Sequence, residues 1–209
     1  MTDYKDYGFY NDQPAHTFQY LQAPLLSLLD KADNRCILDV GCGNGYLANY
    51  LISQGYNVYG TDASAAGIAI ARQANTDRFF VQDLSAGKLP PELQSLSFDT
   101  IVCTEVIEHL YDPAGFVDFC KDVLRGKGEI IITTPYHGYL KNLTLSLANK
   151  WDRHLSPGWH GGHIKFWSRA TLGRLLTGGG FTVVAFKGCG RAPYFWKSMI
   201  IKAEIGLKS

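Results

Sequence analysis

The sequence lacks the features that mark secreted, membrane-spanning and strongly DNA- or RNA-binding proteins. Among its 209 residues, 20 Lys and Arg stand against 19 Asp and Glu, so the net charge of +1 gives no general attraction for polyanions. No apolar run approaches the roughly 18 residues of a membrane span, and the first residues have neither the basic nor the apolar stretch of a signal peptide. The five cysteines include no CxxC pair, which favours reduced thiols over a disulfide frame or a zinc site. We therefore expect one cytoplasmic domain spanning residues 1–209.

Short apolar runs alternate along the chain with longer stretches that have helical periodicity. The predicted strands are Cys36–Val40, Val58–Thr61, Phe79–Val81, Thr100–Cys103, Ile130–Thr133, Phe181–Phe186 and Tyr194–Ile201. The predicted helices are Pro14–Leu29, Gly45–Ser53, Ala65–Ala74, Pro113–Leu124 and Ser168–Thr177, with Ser168 as N-cap of the last. Because the early strands are apolar without alternation, they indicate an α/β fold with a mostly parallel sheet between helices.

A glycine-rich turn, Gly41-Cys42-Gly43-Asn44-Gly45, joins the first predicted strand to a helix. Such a turn lets the backbone approach a ligand closely. It differs from the GxGxxG pattern of dinucleotide-binding proteins, because Tyr46 occupies the sixth place. Asp39 stands two residues before the first glycine, where a carboxylate would face a cation rather than a pyrophosphate. We therefore expect a ligand that carries positive charge.

Two further acids follow the next two predicted strands. Asp62 can accept hydrogen bonds from both hydroxyls of a ribose, and Asp83 can accept one from an adenine amino group. Taken singly, each is equally well explained as a turn or helix-cap residue. Three acids after three successive strands would meet at the carboxyl edge of a parallel sheet, which favours a ligand site.

With these motifs, the sequence resembles the class I S-adenosylmethionine-dependent methyltransferases. LDVGCGNG, the acid in YGTD, the VQDL segment and FDTIVCTEVIEHL have that family's order and spacing over nearly the whole chain. The resemblance implies a Rossmann-like sheet of seven strands in the order 3-2-1-4-5-7-6, with the last strand antiparallel. The cofactor contacts that it implies are Asp39, Gly41, Cys42 and Gly43 for the methionine part, Asp62 and Ala63 for the ribose, Asp83 and Leu84 for the adenine, and Thr104. His16 and Tyr20, on a cap helix over about residues 14–29, are expected to cover the cofactor or to be ordinary surface and core positions.

The segment Glu105-Val106-Ile107-Glu108-His109 follows the fourth predicted strand. On a helix, positions i, i+3 and i+4 share one face, so the two carboxylates and the imidazole would converge on one point. Such a set suits Mg²⁺, Mn²⁺ or Zn²⁺. Without a cation between them, repulsion between the two close carboxylates would raise the pKa of one of them. The small-RNA 3′-terminal 2′-O-methyltransferases are similar here, with a Glu-x-x-Glu-His motif and a later His followed four residues on by Trp. His163 and Trp167 match that pair.

The O-methyltransferases of ubiquinone biosynthesis are similar in the EVIEH segment, in Thr134-Pro135 and in a His-containing insertion. Both groups methylate a hydroxyl oxygen. The two resemblances together imply a metal held by Glu105, Glu108, His109 and His163, with catalytic roles for Glu105, His109 and His163. In the alternative interpretation the two glutamates contact only cofactor or a salt bridge, His109 packs in a helix, and no metal binds.

The connection over residues 136–163 is unusually long for an α/β fold, which is typical of a functional segment. An apolar stripe predicts a helix that either packs on the core or forms a lid: Leu140, Leu143, Leu147 and Trp151. Residues 136–169 carry a local excess of positive charge, with Asp152 as the single acid beside Lys141, Lys150, Arg153, Lys165 and Arg169.

Three partners fit this basic and aromatic segment. We favour an anionic or aromatic small-molecule substrate, because the charge excess is local and no separate RNA-binding domain is present. Anionic membrane headgroups beneath the leucines, and RNA with bases stacked on Trp151 and Trp159, are the alternatives. The corresponding functions are an O-methyltransferase of a small or lipid-like molecule, an RNA ribose 2′-O-methyltransferase, and a cofactor-binding protein without catalysis.

Overall fold

A seven-stranded sheet is the centre of the protein, for which the computed structural model describes residues 8–155, 158 and 162–206. The strands are β1 Ile37–Val40, β2 Val58–Asp62, β3 Phe79–Val81, β4 Thr100–Thr104, β5 Gly128–Pro135, β6 Thr182–Cys189 and β7 Ser198–Ile205. Their order is β3-β2-β1-β4-β5-β7-β6, with β7 antiparallel to both neighbours and the other pairs parallel. The sheet that the resemblance implies is confirmed.

The described α-helices follow the predicted rhythm, with two added between β5 and β6. They are α1 Phe18–Leu26, α2 Tyr46–Ser53, α3 Ala65–Ala71, α4 Pro113–Val123, α5 Tyr139–Leu147, α6 Trp151–Leu155 and α7 Arg169–Gly178. Ser168 caps α7 as predicted, since its side chain accepts from the Thr171 N–H in a capping box. The last strand begins at Ser198 and not at Tyr194, because Tyr194 has a φ of +68° and residues 192–195 form a turn.

The first helix begins at Phe18 and not at Pro14 as predicted, so residues 14–17 precede it. The side-chain amide of Asn44 donates to the backbone carbonyls of Asn11 and Gln13 at 2.8 Å each. These bonds hold residues 11–13 over the glycine turn, ahead of the first residue of α1. His16 therefore lies in the turn ahead of α1, while Tyr20 lies within the helix.

The core lies on both faces of the sheet. Ile130 and Ile132 of β5 belong to one apolar cluster, whereas Ile131 between them belongs to the cluster on the opposite face. Since successive residues of a strand point to opposite faces, both must be apolar when both faces are covered. Each such buried side chain contributes about 1.5–3 kcal/mol.

Helix α5 does not bury the predicted leucine stripe. The leucines of the predicted stripe are exposed, with 42% of Leu140, 40% of Leu143 and 81% of Leu147 accessible, while Lys141 is 7% exposed. The Lys141 ammonium donates to the Tyr136 carbonyl at 2.7 Å, and this bond turns the lysine inward. The stripe therefore does not pack on the core.

The predicted stripe also does not continue along one helix. Asn149 has a φ of +49° between α5 and α6, so the direction of the chain changes before Trp151. Trp159 and His160 lie outside the described residues. None of the described helices combines the length and the apolar character that a membrane span requires.

Candidate active site

A cavity of about 1710 Å³ lies at the carboxyl edge of the sheet. Nearly all of the side chains and turns predicted from the sequence line it: Tyr20, Gly41, Cys42, Gly43, Asp62, Ala63, Asp83, Leu84, Thr104, Glu105, Glu108, His109 and His163. His16 is a further lining residue, whereas Asp39 lies beneath the surface on β1. The structure therefore brings the expected cofactor and metal residues to one place.

The glycine turn has a backbone that only glycine adopts without strain. Gly41 and Gly43 have φ values of +75° and +56°. A Cβ atom on Gly43 would lie 2.6 Å from the Phe9 ring, and one on Gly41 would lie 2.4 Å from Val106. The turn therefore packs closely against the entering chain on one side and the β4 end on the other.

Asp39 is a fully buried acid in the middle of the sheet. Neither of its carboxylate oxygens accepts a hydrogen bond from any residue in the described part of the chain. Burial, and after it the charge of Asp62, raise the pKa of Asp39 to about 7. Because a buried charge without a partner is costly, a cationic ligand at this place would be stabilised. This observation fits S-adenosylmethionine, which carries an ammonium and a sulfonium.

Asp62 and Asp83 have the turn roles that were the alternative to ligand binding. Asp62 accepts from the N–H groups of Gly43 and Ser64 at 2.8 Å each, so it braces the glycine turn. Asp83 accepts from the Ser85 N–H at 2.9 Å and caps a short 3₁₀ turn. An ionised carboxylate has about four acceptor positions. Contacts of both acids with ribose and adenine remain predictions.

The Glu105–His109 segment is not the α-helix that the spacing predicted. Glu105 has a φ of +55°, and only Ile107–His109 form a short 3₁₀ turn. The Glu105 carboxylate accepts from the hydroxyls of Thr133 at 3.0 Å and Ser198 at 3.2 Å.

Glu108 instead accepts from the hydroxyl of Thr134 at 2.9 Å. Because Thr133 and Thr134 are successive residues of β5, their side chains point to opposite faces of the sheet. The two glutamates therefore approach the end of β5 from opposite sides, and the predicted single helical face is wrong.

Three of the four predicted metal ligands form one cluster. The Nε2 atoms of His109 and His163 lie 3.9 and 4.0 Å from Glu108 Oε1, and ligand atoms of the three residues lie within 4.8 Å of one another. Glu108 is 1% exposed, and its Oε1 accepts no hydrogen bond from any described residue. Glu105 lies outside this cluster and has the hydroxyl partners described above, so its role as a ligand stays a prediction.

The segment that follows His163 is held against Glu108 by its backbone. The N–H groups of Ile164 and Lys165 donate to the Glu108 carbonyl at 2.9 Å each. The Trp167 indole N–H donates to the Ile107 carbonyl at 3.4 Å. These bonds position His163 beside Glu108.

The electrostatics of the cluster match its burial. Burial, and then the charge of Glu105, raise the pKa of Glu108 well above its usual range, as the close carboxylates led us to expect. Burial also raises the pKa of Glu105, against hydrogen bonds from Thr133 and Ser198. Burial, followed by the neighbouring His109, lowers the pKa of His163 to about 4. His163 is thus neutral at pH 7, the form that accepts a proton or binds a metal ion.

Sequence reasoning missed several residues of the cavity wall. Phe9 covers the glycine turn, and Ser198 holds Glu105. Lys141, Arg191 and Lys197 add positive charge at the wall. The local excess of basic residues was the only signal for Lys141, while Arg191 and Lys197 belong to no motif.

Comparison with known proteins shows the family to which the chain belongs. A family model described as a methyltransferase domain matches residues 15–185. The chain belongs to the methyltransferase domain family. Its sheet order is that of a class I S-adenosylmethionine-dependent methyltransferase domain, and the resemblance noted from the sequence is confirmed.

Two relatives illustrate the similarity in sequence. The ubiquinone biosynthesis O-methyltransferase of Paracidovorax citrulli is 31% identical over 126 residues, which are 58% of this chain and 52% of that protein. A probable S-adenosylmethionine-dependent methyltransferase of Mycolicibacterium smegmatis is 33% identical over 169 residues, 79% of this chain and 60% of that protein. The chain thus spans between half and three fifths of the length of these relatives.

Solved structures share the fold at lower identity. The magnesium protoporphyrin IX methyltransferase of Synechocystis, solved with bound SAH, has a TM-score of 0.64 at 20% identity and covers 89% of this chain and 80% of its own. A putative methyltransferase of Bacillus halodurans has a TM-score of 0.66 at 16% identity, over 87% of this chain and 97% of its own.

Proposed function

We propose that this methyltransferase domain transfers a methyl group from S-adenosylmethionine to a hydroxyl oxygen of a small molecule. The cluster of Glu108, His109 and His163 carries the proposal, because it lines the same cavity as the glycine turn. It combines an imidazole that is neutral at pH 7 with a buried carboxylate. Those groups suit proton removal from a hydroxyl, which is a weak nucleophile until it is deprotonated.

The cofactor end of the cavity fits a cationic nucleoside. Asp39 offers a buried carboxylate to positive charge, and the narrow glycine turn lets backbone N–H groups approach the ligand. Asp62 and Asp83 offer acceptors for ribose and adenine at the neighbouring strand ends. S-adenosylmethionine, when bound, supplies a methyl group on a positively charged sulfur.

Methyl transfer to oxygen is an in-line displacement, so the cavity must hold the hydroxyl oxygen in line with the methyl carbon and exclude water. The new O–CH₃ bond forms as the S–CH₃ bond breaks, and the sulfur keeps the electron pair. With an ion bound, both Nε2 atoms would be ligands, and the hydroxyl proton would pass to solvent. Without an ion, the proton passes to Nε2 of His163 or His109, each about 4 Å from Glu108 Oε1. Glu108 then stabilises the imidazolium that forms.

The proposal includes a divalent ion, Mg²⁺, Mn²⁺ or Zn²⁺, held by Glu108, His109 and His163. The distances from Glu108 Oε1 to the two Nε2 atoms are 3.9 and 4.0 Å, whereas two ligand atoms of a tetrahedral zinc ion lie about 3.4 Å apart. Small rotations of these side chains would bring the three ligand atoms to that separation. The Oε1 atom without a described hydrogen-bond donor fits a cation at this place. A divalent ion lowers the pKa of a hydroxyl that it contacts.

Hydroxyl oxygen is favoured as the acceptor atom by relatives whose names specify it, the ubiquinone biosynthesis O-methyltransferases. Their match covers about half of their own length, so the acceptor atom stays part of the proposal.

Cofactor binding and methyl transfer test the proposal separately. Calorimetric titration should show binding of S-adenosylmethionine and no binding of NAD. Label transfer from methyl-tritiated S-adenosylmethionine to a panel of phenols, catechols and alcohols should then fall on addition of excess chelator and return with Mn²⁺.

Three other results would change the assignment. Binding of NAD alone would overturn the cofactor. Transfer only to RNA would favour a ribose methyltransferase, and cofactor affinity without transfer to any hydroxyl would favour a binding protein without catalysis.

A further inference from the structure

The charges on the cavity wall are separated across the sheet. Asp62 and Asp83 line the cavity at the ends of β2 and β3, on one side of β1. Lys141, Arg191 and Lys197 line it on the other side, from α5 and the connection between β6 and β7. The side with the acids fits the cationic cofactor. Glu105 and Glu108, after β4, line the cavity between the two groups, and the proposed function leaves the basic side for the methyl acceptor.

Lys141 is the buried member of this basic end. Its side chain is 7% exposed, and its ammonium donates to the carbonyls of Tyr136 at 2.7 Å and Lys197 at 3.4 Å. Within the described ranges, no carboxylate lies within 4.0 Å of this nitrogen. An ammonium has three N–H donors, so one is left for a ligand. A buried cation without an anionic partner is costly, which makes an anion at this place favourable.

Arg191 extends the positive charge from Lys141 toward the solvent. A smaller hollow of about 370 Å³ shares Arg191 and His154 with the main cavity and is also lined by Lys150 and Arg153, with no acid on its wall. Burial, then the charge of Arg191, lower the pKa of Lys141 to about 8, against the opposing charge of Glu105. Burial and the charges of Lys141 and Arg191 also lower the pKa of His154. The basic groups are therefore close enough to act on one ligand.

We propose that Lys141 and Arg191 bind an anionic group, a carboxylate or a phosphate, on the methyl acceptor. The inference rests on the proposed function, because it specifies the acceptor of the same cavity. A carboxylate or phosphate can bond the remaining N–H of Lys141 and pair with the Arg191 guanidinium. We favour a small molecule over RNA, because the net charge of +1 leaves the positive potential confined to this end of the cavity.

A pair of probes that differ by one carboxylate tests the inference. Catechol and 3,4-dihydroxybenzoate are titrated calorimetrically into the protein saturated with S-adenosylhomocysteine. The anionic probe should bind at least about tenfold more tightly. Lys141→Met and Arg191→Gln should each remove most of that preference while leaving the affinities for catechol and S-adenosylhomocysteine unchanged.

Two variants guard against indirect effects. Lys121→Met removes the same charge from an exposed residue of α4 outside the cavity wall, and it should keep the full preference. Lys141→Met also removes hydrogen bonds to the backbone, whereas Arg191 is exposed and donates no hydrogen bond to a described residue. Arg191→Gln therefore tests the anion site even where Lys141→Met unfolds α5.

The outcomes separate this inference from the proposed function. Equal affinity for the two probes, or no binding of either, would overturn the anion site even where S-adenosylhomocysteine binds normally. A single-stranded RNA that binds more tightly than 3,4-dihydroxybenzoate, with a steep loss in salt, would reassign the basic end to RNA phosphates. Failure of S-adenosylhomocysteine itself to bind would contradict the proposed function instead.

Discussion

The two ends of the cavity are built in different ways. At the glycine turn, the candidate ligand-binding groups are backbone N–H groups and the acids of three adjacent strands, Asp39 within β1, Asp62 at the end of β2 and Asp83 after β3. At the acceptor end, which comprises the basic end and the cluster of Glu108, His109 and His163, side chains come from the segment after β4, from α5, from the segment before α7 and from the β6–β7 connection. The first end is fixed by local backbone geometry, and the second depends on long-range packing. Substitutions at the two ends should therefore affect cofactor and acceptor separately.

The largest expected effect is loss of turnover in His163→Ala. Removing this imidazole takes away a ligand of the ion or, without an ion, the proton acceptor, so turnover should fall by about 10²–10⁴-fold. Affinity for S-adenosylhomocysteine should stay unchanged, because His163 belongs to the acceptor end. Radiolabel transfer and calorimetry measure the two quantities.

Ion binding itself distinguishes Glu105 from the cluster. Equilibrium dialysis with Mn²⁺ should show one bound ion in the parent protein and none in His163→Ala. Glu105→Gln should keep the ion, because Glu105 bonds Thr133 and Ser198 and lies outside the cluster. Loss of the ion in Glu105→Gln would restore Glu105 as a ligand. Full activity in excess chelator would remove the metal and leave the imidazoles as simple bases.

The next effect concerns Asp39, where Asp39→Asn should stabilise the ligand-free protein. Burial raises the pKa of Asp39 from 3.8 to about 7, so between these values the folded protein keeps a proton that the unfolded chain releases. The free energy of unfolding of the parent therefore falls as pH rises through this range, by about 2–4 kcal/mol in total. The variant lacks this decline, and urea denaturation at pH 4, 6 and 8 measures it.

The same variant should lose cofactor affinity, because an amide cannot offset the positive charge of the ligand. We expect a loss of about 1–3 kcal/mol in the binding free energy of S-adenosylhomocysteine. A variant that follows the parent's stability at every pH would show that Asp39 is already charged in the folded state. A variant that binds cofactor normally would remove Asp39 from the cofactor site.

Asp62→Ala should cost about 1–3 kcal/mol of cofactor affinity. Asp83→Ala is the matched control, and its loss should be smaller. The difference arises because Asp62 also holds the Gly43 N–H of the glycine turn, whereas the Asp83 carboxylate accepts from the Ser85 N–H of its own 3₁₀ turn. Calorimetry on both variants compares them. Unchanged affinity in Asp62→Ala would exclude a ribose contact.

The cofactor end was predictable because its determinants are local. Gly41 and Gly43 stand where positive φ values are needed, and the acids follow apolar strands. The sheet order came from the resemblance, since the strand pattern by itself does not specify which strands are neighbours. For Asp62 and Asp83 the sequence pattern does not distinguish a turn residue from a ligand contact, because both roles require an aspartate at the same position.

The acceptor end was predicted less well because tertiary contacts override local spacing there. The spacing of Glu105, Glu108 and His109 fits a helix, but the hydroxyls of two successive threonines draw the glutamates to opposite faces. The leucine stripe of α5 likewise fits a core-facing helix, but the buried bond of Lys141 reverses it. The threonines lie 26 to 28 residues from the glutamates, and the nearby partner of Lys141 is a backbone carbonyl, which no side-chain pattern marks.

The smallest expected effect is protection of the α5–α6 segment by ligand. Lys150 and Arg153 are exposed and lie beside the basic hollow, so trypsin can reach both. If this part of the predicted lid moves, S-adenosylhomocysteine together with 3,4-dihydroxybenzoate should slow these cuts about three- to tenfold. Mass spectrometry of the fragments over time gives the rates. Cleavage after Arg125, which lies outside the cavity wall, is the internal reference and should not change.

The same cleavage rates are measured in Lys141→Met and compared with those of the parent protein. Loss of the bonds from Lys141 to the carbonyls of Tyr136 and Lys197 should loosen α5 and speed the cuts with and without ligand. Equal rates in all four combinations of protein and ligand would show that the segment is a fixed part of the wall. The basic end would then be as rigid as the glycine turn, and the distinction between the two ends would be one of charge alone.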